Sequence, residues 1–179
     1  KYTSERLVLR NAYLTGLNVA CCRLGDVFGK WEKKTNLRQQ MSAPYQVIKL
    51  ALEGKEAVLP RANKTNWVYV KDVSQGVYAV TSSQSLGSVI NISSAYTWSI
   101  EDLCNELKKG YPLFSYRISS NKAEQNVTYF DEIDNAEMSI DLLKNSIHYQ
   151  PEYGMSKALD DYMKWIQLID KGECFNGLL

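Results

Sequence analysis

The residues able to do chemistry in this chain are few and scattered. His148 is the only histidine, and no cysteine or carboxylate stands at ligand spacing from it, so it makes neither a metal site nor a catalytic triad and reads as structural. Cys21 and Cys22 are adjacent, Cys104 falls in an amphipathic stretch and Cys174 near the C-terminus. That is neither a CxxC metal pattern nor a disulfide ladder, and it predicts buried or inert thiols. No G-x-G-x-x-G phosphate-binding turn is present. Asn63, Asn91 and Asn126 each head an N-x-S/T sequon, but nothing else marks secretion and they carry no weight. What remains is a set of charges: Lys1, Arg23 at the end of an apolar run, Asp26, Arg38, Arg61 and Lys64. Taken alone, Lys1 is a solvated terminal lysine. Arg23 is as readily a strand-end arginine neutralised by a nearby carboxylate as a ligand contact, and Arg61 with Lys64 are solvated loop cations.

The elements that must position these groups follow from apolar periodicity. Tyr2–Thr15 carries Leu7, Val8, Leu9, Ala12, Tyr13 and Leu14 over a broad helical face, with Gly16 as the left-handed stop. No capping residue precedes it, so the chain reads as starting inside an element. Residues 19–24 are nearly continuous in apolar character, the pattern of a central parallel strand covered on both faces. Ser42 caps a helix to Leu52 stopped by Gly54. Residues 57–59 and 67–70 read as short strands. Asp72 caps a helix with Val73, Val77 and Val80 on one side, and residues 89–92 form another buried strand. Ser99 and Asp102 make a capping box for a helix striped by Ile100, Leu103, Cys104 and Leu107. Residues 114–118 and 127–130 read as strands, 139–143 as a short helix capped by Ser139, and the last helix turns Leu159, Tyr162, Met163 and Ile166 to one side, aromatic residues of the core. Helix, glycine turn and buried strand, stated twice, predict an α/β fold with a parallel sheet.

Composition limits the partners. With 21 basic and 20 acidic residues the net charge is +1 at pH 7 and no run of one sign occurs, which argues against nucleic acid or an anionic membrane and for a small-molecule substrate or another subunit. No stretch approaches the ~18 apolar residues of a membrane span, and a cytoplasmic protein is expected. No repeat or Pro/Gly/Ser-rich linker interrupts the chain.

The motifs, in order, resemble one family. Lys1-Tyr2-Thr3-Ser4-Glu5 resembles the surroundings of the lysine in a YxxxK motif, where Glu commonly follows four residues later. Arg23-Leu24-Gly25-Asp26-Val27-Phe28-Gly29 looks like R-x-x-N-x-Y-G. Trp67-Val68-Tyr69-Val70-Lys71-Asp72-Val73 is similar to v-y-V-x-D-v, and Ile90-Asn91-Ile92-Ser93-Ser94 to y-N-i-g-s. Tyr149-Gln150-Pro151 with Tyr162-Met163-Lys164-Trp165-Ile166 resembles y-x-P followed by Y-x-x-W-i. Together they resemble the C-terminal half of the extended short-chain dehydrogenase/reductase family, of the NAD-dependent epimerase/dehydratase type.

The resemblance implies the C-terminal part of a Rossmann-like parallel sheet with a smaller α/β substrate-binding lobe. Residues 1–95 would be the remaining cofactor-domain part with an inserted substrate-lobe segment at about 30–70, and residues 96–179 the substrate lobe. It implies NAD or NADP as cofactor, with most contacts in an N-terminal half, and Lys1 as the catalytic lysine that binds the nicotinamide ribose and lowers the pKa of a tyrosine one helical turn earlier. Lys1, Leu24, Gly25 and Val27 would border the cofactor, and Asp26, Arg38 and Arg61 the substrate. Related enzymes pair helices like Tyr2–Thr15 into a homodimer's four-helix bundle. The reaction implied is hydride transfer at a hydroxyl carbon of a sugar or nucleotide-sugar-like substrate. An NADPH-dependent carbonyl reductase and a non-catalytic binding protein on the same scaffold are the alternatives, and the isolated chain would be inactive. Two departures bear on the substrate: Asp26 replaces the family's asparagine, and Thr65-Asn66 replace an Arg-Asp pair that grips nucleotide phosphates, with Arg61 and Lys64 near enough in sequence to compensate. The stretch from Trp31-Glu32 through Thr35, Leu37 and Arg38 to Ser42 resembles an insertion of an epimerase/dehydratase-like subgroup in which Arg38 would anchor an anion.

Overall fold

A computed structural model describes residues 1–32, 34, 35, 38, 40–83, 88–130 and 132–170. Leu37 and Cys174 lie outside the described residues. The chain opens with α1 (Tyr2–Thr15), which ends at Gly16 with φ 70°, the left-handed conformation the apolar pattern predicts there. Strand β1 (Cys21–Leu24) follows and leads through Gly25 into β2 (Asp26–Phe28). Helix α2 (Ala43–Leu52) comes next, its Ser42 hydroxyl accepting from the Tyr45 amide. Then come β3 (Ala57–Leu59), β4 (Lys64–Thr65), β5 (Trp67–Tyr69) and α3 (Val70–Ser82). Beyond them lie β6 (Val89–Ile92), β7 (Trp98–Ser99), α4 (Ile100–Gly110), β8 (Tyr116–Ile118), α5 (Asp141–Asn145) and α6 (Met155–Asp170).

The pairings are mostly parallel. β1 lies beside β6 with Leu24 opposite Ile92, β2 beside β5 with Asp26 opposite Trp67, and β3 beside β8 with Leu59 opposite Ile118. β4 and β7 make one short antiparallel contact, Thr65 opposite Trp98. Parallel pairing needs long connections, and α3 lies in the one between the paired strands β1 and β6. This is the α/β architecture the sequence predicts, with 21–24 and 89–92 parallel in one sheet.

Two apolar clusters hold the fold. The larger joins Phe28, Val47, Ile48, Leu59, Trp67 and Tyr69 to Trp98, Ile100, Leu103, Phe114, Val127 and Tyr162, so the segment around α2 and β3 shares a core with α4 and α6. The smaller joins Val80, Ile90 and Ile92 to Ile140, Leu143 and Ile147, seating α5 on β6.

Several details differ from the sequence reading. β1 is not covered on both faces within this chain: Cys22, Arg23 and Leu24 are exposed, and of α1 only Ala12 is buried. Residues 127–130 form no strand; Val127 donates its amide to Val58 O and Thr128 to the Gln46 side chain, so edge contacts replace a ladder. Asp72 is not the cap of α3, which begins at Val70 after Tyr69. Its carboxylate is fully buried and instead accepts from the Tyr149 hydroxyl (2.9 Å) and the Glu152 and Tyr153 amides (2.9 Å each), tying the approach to α6 onto α3. The Ser99–Asp102 capping box is present in both directions, and Ser139 accepts from the Asp141 amide at the start of α5.

Candidate functional site

The carboxyl ends of β1 and β6 meet the amino ends of β2 and β5 around Gly25. Its amide donates to Ile92 O at 3.0 Å, which carries the end of β1 along the end of β6. A side chain here would collide, since a Cβ on Gly25 would stand 2.6 Å from Ser93 Oγ and 3.3 Å from Asn66 O. The packing therefore requires glycine at this crossing. Ser93 is fully buried and its hydroxyl has no hydrogen-bond partner. An unsatisfied buried hydroxyl costs stability.

Helix α1 is fastened to the end of β1. Arg23 donates to Glu5 from Nε (2.8 Å) and Nη2 (2.7 Å), a bidentate pair that fastens the first turn of α1 to the end of β1. The Glu5 amide in turn donates to Lys1 O, placing Lys1 one turn before the clamp, exposed at the helix start. The hydrogen bonds from Arg23 hold the Glu5 carboxyl below its ordinary value. Of the alternatives the sequence left open for Arg23, the structure selects neutralisation by a carboxylate.

Asp26, Arg61, Thr65 and Trp67 line one recess with Asn63, Tyr129 and Asn135. Asp26 Oδ2 accepts from Thr65 Oγ1 (3.1 Å) and Asn135 Nδ2 (3.3 Å). Arg61 pairs with Asp134, and that same carboxylate accepts from Asn63 Nδ2 (2.7 Å) and the Lys64 amide (3.0 Å). Burial raises the Asp134 carboxyl, but the bonds from Arg61, Lys64 and Asn63 outweigh it and hold it below its ordinary value. The Arg61 guanidinium also lies over the Tyr129 ring, 5.3 Å from its centroid, while the Tyr129 hydroxyl donates to Arg61 O. Two of the lining residues carry a buried polar atom without a partner, Trp67 Nε1 and Asn63 Oδ1.

Arg38 is placed elsewhere. It donates to Glu32 (2.7 Å) and to Gln40 O (3.4 Å), while Glu32 also accepts from the Ser42 amide and hydroxyl at 2.7 Å. These bonds seat the start of α2. Beside them an apolar cleft of about 370 Å³ runs between α2 and α6, walled by Trp31, Tyr45, Ile48, Leu52 and Trp165. It has shape but little chemistry, because its carboxylate, Glu32, is already hydrogen-bonded by Ser42 and Arg38. His148 sits exposed in a left-handed turn (φ 58°) after α5, and no group of metal-ligating side chains occurs among the described residues. Burial pushes the Cys104 thiol up to about 12, in keeping with an inert thiol there.

Sequence reasoning thus found Asp26 and Arg61, which the fold brings together, and missed Asp134, Asn135 and Asn63. Asp134 lies 73 residues from Arg61, and no local spacing signals the pair.

Residues 1–93 match the family described as NAD dependent epimerase/dehydratase, and the chain belongs to that family. The search of curated proteins found no match. Among solved structures, the chain is similar in fold to Pal from Bacillus thuringiensis (TM-score 0.76, 17% identity), over 94% of this chain and 52% of that one. UDP-glucuronic acid 4-epimerase from Bacillus cereus, in complex with UDP-glucuronic acid and NAD, gives a TM-score of 0.73 at 18% identity, over 94% of this chain and 51% of that one. UDP-glucose 4-epimerase from Thermotoga maritima, with UDP-glucose, gives 0.74 at 17% identity, over 94% and 52%. The chain therefore spans about half the length of the solved structures it matches.

Proposed function

We propose that this chain is part of an NAD(P)-dependent epimerase/dehydratase-type enzyme that moves a hydride to and from a hydroxyl carbon of a sugar-like substrate. The observation that carries the reading is the meeting of strand ends at Gly25, where a glycine packed tightly against Ser93 adjoins the orphaned Ser93 hydroxyl. Ligands of open α/β sheets bind outside such carboxyl ends. The residues present fit the nicotinamide side of a cofactor: Lys1, Leu24, Gly25 and Val27 would hold it, and it would supply the hydride acceptor. Lys1 would hold a positive charge and a donor at the helix start, where the Glu5–Arg23 clamp keeps it in register with β1. Asp26 and Arg61 would stand on the substrate side, at the recess that β2, β4 and β5 border. Arg38 supports α2 in this reading, and substrate contact through it would require breaking its bond to Glu32. The division into a cofactor part over residues 1–95, interrupted at about 30–70, and a substrate lobe over 96–179 is part of the same proposal. NAD is the cofactor the family description names, with NADP left to direct comparison.

The test is made on the full-length protein. We expect it to bind NAD or NADP in calorimetry and to interconvert or oxidise a sugar substrate. Lys1→Met should lower turnover at least ~100-fold, the usual worth of acid–base assistance, while His148→Ala leaves it within about twofold. Absence of dinucleotide binding, or full turnover in Lys1→Met, would defeat the proposal.

A further inference from the structure

The recess beside Asp26 carries an inference about substrate class that rests on the functional reading above. Its free space is about 20 Å³, room for one hydroxyl group or one water and too little for a phosphate. Trp67 and Asn63 line it at 5% and 7% exposure, and each carries a buried polar atom without a partner, the donor Trp67 Nε1 and the acceptor Asn63 Oδ1. Asp26 also lines it, with Oδ2 occupied by Thr65 and Asn135. A hydroxyl both donates and accepts, so it satisfies Trp67 Nε1 together with Asn63 Oδ1 or Asp26. A phosphate only accepts and would leave the acceptors orphaned.

Charge points the same way. Arg61, the cation of the recess, is held by Asp134. A neighbouring cleft of about 560 Å³ shares Arg61, Tyr129 and Phe130 with the recess and adds Lys122 and Glu132. The charged groups lining the two spaces are thus the cations Arg61 and Lys122 and the carboxylates Asp26 and Glu132, with Arg61 already paired to Asp134. Lys64 turns its amide to Asp134 and lines neither space. A diphosphate is gripped by several cations in excess, and this surface offers no excess. Thr65 spends its hydroxyl on Asp26.

We propose that the site takes an uncharged polyhydroxylated ring, a free sugar or cyclic polyol, with one hydroxyl in the Asp26–Asn63–Trp67 recess and the ring in the adjoining cleft, and that it discriminates against nucleoside-diphosphate sugars. This separates the protein from its structural neighbours that were solved with UDP-sugars.

The indole N–H of Trp67 is the reporter. In the full-length protein, with NAD present, its proton–nitrogen resonance is followed during titration with glucose, galactose and xylose, each free and as its UDP conjugate. We expect at least one free sugar to shift this resonance and to do so at roughly tenfold or more lower concentration than its UDP conjugate. Asp26→Asn should close that gap by about tenfold, because one negative charge facing the diphosphate is removed, and Asn63→Leu should weaken the free sugar alone. A UDP conjugate that saturates the resonance at lower concentration than every free sugar would overturn the proposal, as would a silent Trp67 with all of them or an unchanged gap in Asp26→Asn. If NAD itself fails to perturb the spectrum, the enzyme reading fails instead, and the sugar titrations still decide what the recess accepts.

Discussion

At the scale of single residues, Gly25 and Ser93 meet at the heart of the candidate site. A Cβ at Gly25 meets a hydroxyl that is itself unsatisfied, so the conflict is with one atom more than with the backbone. Gly25→Ala is expected to cost about 1–3 kcal/mol, the usual penalty of overpacking. Ser93→Ala removes a buried group without a partner and should be close to neutral in stability. Because the two atoms are in contact, the double variant should recover part of the loss; urea unfolding of the single and double variants measures this, and strict additivity would show that Asn66 O is the true obstacle.

At the scale of elements, α6 is fastened to the sheet by one carboxylate. Asp161 accepts from Lys30 and Lys71 and from the Tyr69 hydroxyl (2.8 Å), gathering α6, the end of β5, α3 and the loop after β2. Burial would raise this carboxyl, but the bonds from Lys30, Lys71 and Tyr69 prevail and hold it at about 2. A carboxyl depressed in the folded state stabilises above its unfolded value, near 3.8, and loses that contribution as pH falls through about 2. The contribution is roughly 2 kcal/mol. Native protein should therefore lose this amount relative to Asp161→Asn between about pH 5 and pH 2, read as converging urea midpoints of the two proteins. Parallel curves across that window would mean Asp161 is not coupled to folding.

At the scale of the whole molecule, α1 exposes several large apolar side chains. Leu7, Val8, Tyr13 and Leu14 are exposed, and Leu17 continues the patch. Patches of this kind mark interaction surfaces, and we propose that α1 forms part of a homodimer contact. In the full-length protein, Leu7→Arg with Leu14→Arg should shift sedimentation from dimer to monomer while far-UV circular dichroism is retained. A native protein that sediments as a monomer at high concentration would count against it.

Much of this was written in local pattern. The 3.6-residue stripes of α2, α4 and α6, the Ser42 and Ser99 caps, the Gly16 stop and the apolar runs of β1 and β6 are near-neighbour properties, and each appears where the sequence places it. The candidate site was legible only where a motif pointed to it, at Lys1, Gly25 and Asp26, whose roles are part of the proposal. Arg61 could be named but not judged, since a loop cation reads alike whether solvated or paired. Its pairing with Asp134, the placement of Asn135 on Asp26 and the fastening of Arg38 to Glu32 depend on how the loops close. Asp72 makes the same point, a helix-start carboxylate by sequence that tertiary contact turns toward Tyr149 and the Glu152 and Tyr153 amides. Local sequence determined the elements because helix and strand periodicities are set by backbone geometry within a few residues. Tertiary structure alone decided which charges are spent, because a salt bridge needs two side chains within about 4 Å, whatever their separation along the chain.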